Sequence, residues 1–182
     1  VLVMISSTAA LYFGMEDALA ERYPRDLIIQ VSEADESTMN AVQETVDQTL
    51  TSYGLTEENR LAYRIMSIYG YRQGDSYLID GTYDYLQDMA NLYFLPLEDY
   101  LKLTDEEVSL AEDEALLLSN RDTYGSPTMS VLGYNFRVRE QPLTFNPYSV
   151  GTAYNSDITA AFFVVVRDMA VIQNLQNACR AL

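Results

Sequence analysis

Phe162-Phe-Val-Val-Val166, followed at once by Arg167 and Asp168, is the stretch from which the fold is read. Two aromatic and three β-branched residues in succession fit a pleated surface, and the branched ones lose rotamer freedom in a helix. An unbroken, strongly β-branched run of this length predicts a central strand. The strand feeds residues 167–182, where Met169, Ile172, Leu175 and Ala178 recur at helical spacing on one face. That helix is amphipathic and does not span a membrane.

Working outward, Ala115-Leu-Leu-Leu118 reads as a second buried strand, and residues 129–138 as a hairpin turning at Gly133. Asn91-Leu-Tyr-Phe-Leu95 is a further strand, after which Pro96 opens a short helix through Tyr100 and Leu103. Thr104-Asp-Glu-Glu107 matches a capping box and predicts another turn of helix. Residues 61–71 and Ser76-Tyr-Leu-Ile79 flank Gln73-Gly-Asp75 as a second hairpin. Met39, Val42, Val46, Leu50 and Tyr53 repeat at steps of three or four, capped by Asp35 or Ser37 and stopped by Gly54. Asp26-Leu-Ile-Ile-Gln-Val31 is a first strand. Hairpins mixed with isolated helices make the class α+β, a mixed sheet with flanking helices, rather than a doubly wound α/β fold.

The charge is one-sided: 27 acidic against 11 basic residues give −16, and Lys102 is the only lysine. Nucleic acid needs clustered cations to displace its counterions, and no basic run exists, so that partner class is excluded. Histidine and tryptophan are absent, and Cys179 is the only cysteine. A His-dependent triad, a His-containing metal site and an internal disulfide are therefore impossible. Cys179, on the last helix, reads as a structural thiol. There is no phosphate loop and no nucleophile elbow. Asp75, Asp80, Asp84 and Asp88 lack the ligand register of a calcium loop and read as turn and surface residues. No catalytic residue, cofactor or metal is expected.

Glu98 to Glu114 holds eight acids and only Lys102, a local net of −7. Such a run is ordinarily a solvated face, and a single-sign field can also speed encounter with a cationic partner. Asp105, Glu106, Glu112 and Asp113 are the candidate contact residues there, expected to face water with no cationic partner of their own. Fifteen tyrosines raise the same question, and Tyr69, Tyr71 and Tyr77 on one hairpin are the candidate aromatic contacts.

Residues 1–13 carry no charge. They are too few to span a bilayer, which takes about 20 apolar residues, and have no basic leader segment. Two readings stay open: an N-terminal helix buried on the core, or the outer end of a transmembrane helix with Tyr12 and Phe13 at the interface.

Three passages resemble the extracytoplasmic domains of FtsX-like and MacB-like permeases of bacterial ABC transporters. They are Ser6-Ser-Thr-Ala-Ala-Leu-Tyr-Phe-Gly-Met-Glu-Asp17 with Arg22-Tyr-Pro-Arg-Asp26; Asn91 to Tyr100 with Leu103-Thr104 and Ser109 to Leu118; and Phe163-Val-Val-Val-Arg-Asp168. The resemblance implies a MacB-like periplasmic core, with residues 1–25 as a protruding membrane-helix end and exit, and 26–182 as the extracytoplasmic domain. It implies a non-catalytic domain at the cell membrane that binds a substrate or partner outside and couples it to a cytoplasmic ABC ATPase. A membrane-anchored sensor or surface ligand-binding module is the rival reading, and a hydrolase with paired carboxylates a distant third.

Overall fold

The structure, a computed structural model, describes residues 36–56, 63, 65–73, 76–78, 89–104, 106–120, 124–146 and 160–181. The expectations for residues 1–25, for a strand at 26–31, and for Asp75, Asp80, Asp84, Asp88 and Asp105 lie outside the described residues. The chain divides into two compact units, Val1–Ile29 with Phe145–Tyr154, and Gln30–Thr144 with Asn155–Leu182. The second carries every element below.

Its strands are β1 (Met66–Gln73), β2 (Ser76–Leu78), β3 (Met89–Pro96), β4 (Glu114–Leu118), β5 (Thr128–Val131), β6 (Tyr134–Gln141) and β7 (Ala160–Val166). Its helices are α1 (Glu36–Ser52), α2 (Leu97–Leu103) and α3 (Met169–Arg180). The strands curl into a closed ring in the order β1-β2-β5-β6-β4-β7-β3. Pairing is parallel for β2 with β5, β3 with β7 and β4 with β6, and antiparallel elsewhere. The α+β class with a mixed sheet therefore stands, and β7 is central as its composition demands.

Alternation decides what faces inward. Ile68, Leu92, Phe94, Leu117, Phe136, Phe162, Val164 and Val166 share one apolar cluster with Ile172 and Leu175 of α3. Burying each such side chain contributes about 1.5–3 kcal/mol. Tyr124 joins this cluster from the loop after β4, its ring edge-on to Phe162 at 5.9 Å. On β3, β4 and β7 the opposite face is buried as well, at Tyr93, Leu95, Leu116, Leu118, Phe163 and Val165. On β5 and β6 that face is polar: Thr128, Asn135, Arg137 and Arg139 are exposed. A sheet buried on two faces along three strands and on one face along the others needs continuous apolar runs in the first set and alternation in the second. The sequence has both.

Local signals explain the ends. Gly54 takes φ +81°, and Leu55 N–H donates to Leu50 O at 2.9 Å while Gly54 N–H donates to Thr51 O at 2.9 Å. That is the Schellman closure expected of a glycine stop. Tyr53, expected on the buried stripe, sits at this cap and is 82% exposed. Ser37 lies inside α1 and so does not cap it. The Asp168 carboxylate caps α3, accepting from Val171 N–H at 3.2 Å. Leu132 and Gly133 both have positive φ, 52° and 81°. Two left-handed residues between paired Val131 and Tyr134 make the tight turn that matches strand twist.

The capping box at Thr104 is overturned. Residues 104 and 106–111 contain no helix, Thr104 is extended (φ −136°, ψ 157°), and its hydroxyl donates backward to Tyr100 O at 3.1 Å. The same side chain that can open a helix here closes one, because the next apolar residues, Val108 and Leu110, alternate at a strand's period rather than a helix's.

Candidate functional site

The acidic stretch leaves α2, runs along residues 106–111 and turns at Glu112 and Asp113 into β4. Its residues have separate fates. Asp99 is 4% exposed and meets Lys102 Nζ at 2.6 Å, which pushes the Lys102 ammonium above its ordinary pKa. The one lysine of the chain thus serves a buried carboxylate, where a lone charge is costly. This corrects the reading of the whole run as a solvated face.

Glu106 is half-buried and accepts from the hydroxyl of Tyr100 at 2.7 Å. Tyr100 itself is fully buried. Its hydroxyl pKa is raised, first by burial and further by Glu106, with the hydrogen bond to Thr144 acting the other way.

Asp113 is exposed and holds Arg137 at two points, both at 2.8 Å. That pairing lowers the Asp113 pKa and raises that of Arg137. Glu112, exposed at the turn, lies 3.8 Å from Arg167, and Glu114 lies 3.9 Å from Arg139. Arg167 also pairs with Asp168 at 2.7 Å, lowering the Asp168 pKa. The expectation that these carboxylates have no cationic partners is wrong. Parallel register puts Glu114 beside Arg137, so β6 brings its arginines up to the turn before β4. The signal was present in Phe136-Arg-Val-Arg139, whose alternation points both arginines off the core.

Tyr69 is exposed on β1 and paired in register with Asn91. The backbones of Tyr71 and Tyr77 lie one residue apart in the β1–β2 register. In the ring, β5 and β6 stand between β2 and β4. The tyrosines and the acidic turn are therefore not brought together into one site.

Sequence reasoning also missed Glu140. Its carboxylate accepts from the backbone N–H of Tyr124 and, at 3.2 Å, from that of Gly125, which has φ +70°. This grip holds the loop that delivers Tyr124 to the core. Cys179 is half-buried against the core, where burial pushes its thiol pKa up, as suits a structural residue.

Two concave surfaces lie among the described residues. One, of ≈ 420 Å³, follows α1 along Ser37, Thr38, Ala41, Val42, Thr45 and Val46. The other, of ≈ 370 Å³, is polar and is lined by Glu106, Glu107, Val108, Ser109, Arg139 and Gln141. Among the described residues no group of three or more carboxylates or thiols is placed to hold a metal ion, and no helix is long and apolar enough to cross a membrane. No family model, curated protein or solved structure matches the chain.

Proposed function

We propose that this chain is a non-catalytic extracytoplasmic domain of an FtsX-like or MacB-like ABC-transporter permease. In this reading it sits on the outer side of the cell membrane and binds a substrate or partner protein there. It passes that event through the membrane part to a cytoplasmic ATPase, and it uses no cofactor, metal or nucleic acid. One observation carries the reading. Two of the three passages that resemble the family lie side by side, as the parallel strands β3 and β7, β3 running directly into α2 and β7 into α3 after Arg167 and Asp168. Motion imposed on α2 or α3 would reach the same two-strand core, which suits a domain that transmits movement. The resemblance of residues 6–26 to a membrane-helix exit supports the placement.

The test is purification of the tagged natural gene product from its host in detergent. An ABC ATPase should co-purify in stoichiometric amount, and its ATP hydrolysis should change when residues 26–182 are deleted. A kinase or methyl-accepting partner in its place would favour the sensor reading, and an unchanged ATPase rate would remove the coupling role.

A further inference from the structure

Residues 106–110 leave α2 without helix, turn or bend, and their burial alternates: Glu106, Val108 and Leu110 are half-buried, Glu107 and Ser109 exposed. That is the period of a strand. Yet among the described residues no strand pairs with this segment, and no backbone–backbone hydrogen bond reaches residues 107–110. Its main chain is met by Arg139 Nη2, on Ser109 O at 3.5 Å, long for a hydrogen bond. Backbone donors and acceptors left open along a straight segment are a template for another extended chain.

The surroundings say what kind of chain. The segment forms one wall of the ≈ 370 Å³ polar cleft whose other wall is Arg139 and Gln141 of β6. Among the described residues Glu107 has no ionic or hydrogen-bonded partner, and Arg139 has only its two long contacts, to Ser109 O and, at 3.9 Å, to Glu114. An unpaired carboxylate, an amide and a loosely held guanidinium suit a ligand with carbonyls for the last two and a cation for the first. Arg137, Arg139 and Arg167 face the far end of the run, at Glu112 to Glu114, but its eight acids still outnumber those three arginines and Lys102, and the remaining negative field favours the same cation.

We propose that residues 106–110 are an open strand edge that takes up an extended peptide segment of a partner protein by main-chain hydrogen bonds. A basic side chain of that segment meets Glu107, and its carbonyls meet Arg139 and Gln141. This is strand addition, in which the main chain supplies affinity and alternate side chains supply selectivity. It names the partner class within the binding role proposed above. Its failure would leave the association with an ATPase untouched, and loss of that association would leave this edge intact.

The experiment uses the isotope-labelled 182-residue chain and a pool of blocked pentapeptides with lysine at positions two and four and Val, Thr or Tyr elsewhere. Amide resonances of residues 107–110 should shift on titration. Methylating alternate peptide nitrogens should weaken binding by about tenfold or more, since each main-chain hydrogen bond is worth about 1 kcal/mol. Exchanging lysine for glutamate, or Glu107→Gln in the protein, should weaken it about threefold. Undisturbed amides at 107–110 with millimolar peptide overturn the proposal. So does equal binding of the methylated peptides, because the contact would then be side-chain charge alone.

Discussion

Arg137 and Asp113 face each other at two points, Nε and Nη2 each 2.8 Å from a different carboxylate oxygen. The pair joins β6 to the turn before β4 and is reinforced by the backbone bond from Arg137 N–H to Asp113 O at 2.7 Å. Because the guanidinium lowers the Asp113 pKa, the folded state holds the charged form better than the unfolded chain does. The contribution is present above the ordinary aspartate range and is lost as pH falls through the lower folded value. Carboxyl NMR titration should place the Asp113 midpoint below that of an unpaired aspartate, and Arg137→Gln should move it back up. An unmoved midpoint would mean that the pair does not persist in solution.

Glu140 offers a sharper mutational effect, since it satisfies two adjacent backbone donors at once. Glu140→Ala should cost about 1–2 kcal/mol, the loss of two hydrogen bonds to a charged acceptor offset in part by water reaching the exposed Gly125 N–H. Urea denaturation reads the loss, and hydrogen exchange should quicken at Tyr124 and Gly125 first. Glu140→Gln keeps one acceptor oxygen and should cost less.

Tyr100→Phe removes a buried hydroxyl and leaves the half-buried Glu106 carboxylate without its donor. The expected loss is about 1–2 kcal/mol in a denaturant midpoint. Indifference to the change would show that Glu106 is hydrated and that the 2.7 Å bond contributes nothing.

Phe162 and Phe163 point to opposite faces of β7 and are both buried. If both faces are core, Phe162→Ala and Phe163→Ala should each cost about 3–5 kcal/mol. A much smaller loss for Phe163 would mark its face, packed against Tyr93 at 5.2 Å between ring centres, as only loosely covered.

Gly133→Ala puts a Cβ on a residue at φ +81°, in open space but in the left-handed region. It should destabilise by about 1 kcal/mol through backbone conformation alone. Any larger effect would mean that the β5–β6 register had slipped.

The strands were legible wherever the apolar pattern was strong. The runs 92–95, 115–118 and 162–166 declared themselves because a strand buried on both faces leaves no room for a polar position, and Gly133 and Gly54 marked their turns by the dihedrals only glycine takes easily. Thr104 misled because the same hydroxyl satisfies either end of a helix, and only the spacing of the next apolar residues, Val108 and Leu110, decides which. The ion pairs were hidden for a different reason. Asp113 and Arg137 meet through parallel register between β4 and β6, and register is set by tertiary packing rather than by neighbours in sequence. Glu140 was silent too, since nothing local distinguishes a carboxylate that grips a distant loop from one in water.

The place of β7 between β3 and β4 also orders events in time. Neither neighbour pairs with the other, so the ring has a gap until Ala160–Val166 arrives, and Ala90 must find Ala160 across a long intervening stretch. Parallel pairing of such distant segments is entropically slow. During synthesis Leu92, Phe94, Leu116 and Leu117 would therefore wait uncovered on an incomplete sheet. Until β7 emerges, that apolar surface is the part of the nascent chain most open to aggregation.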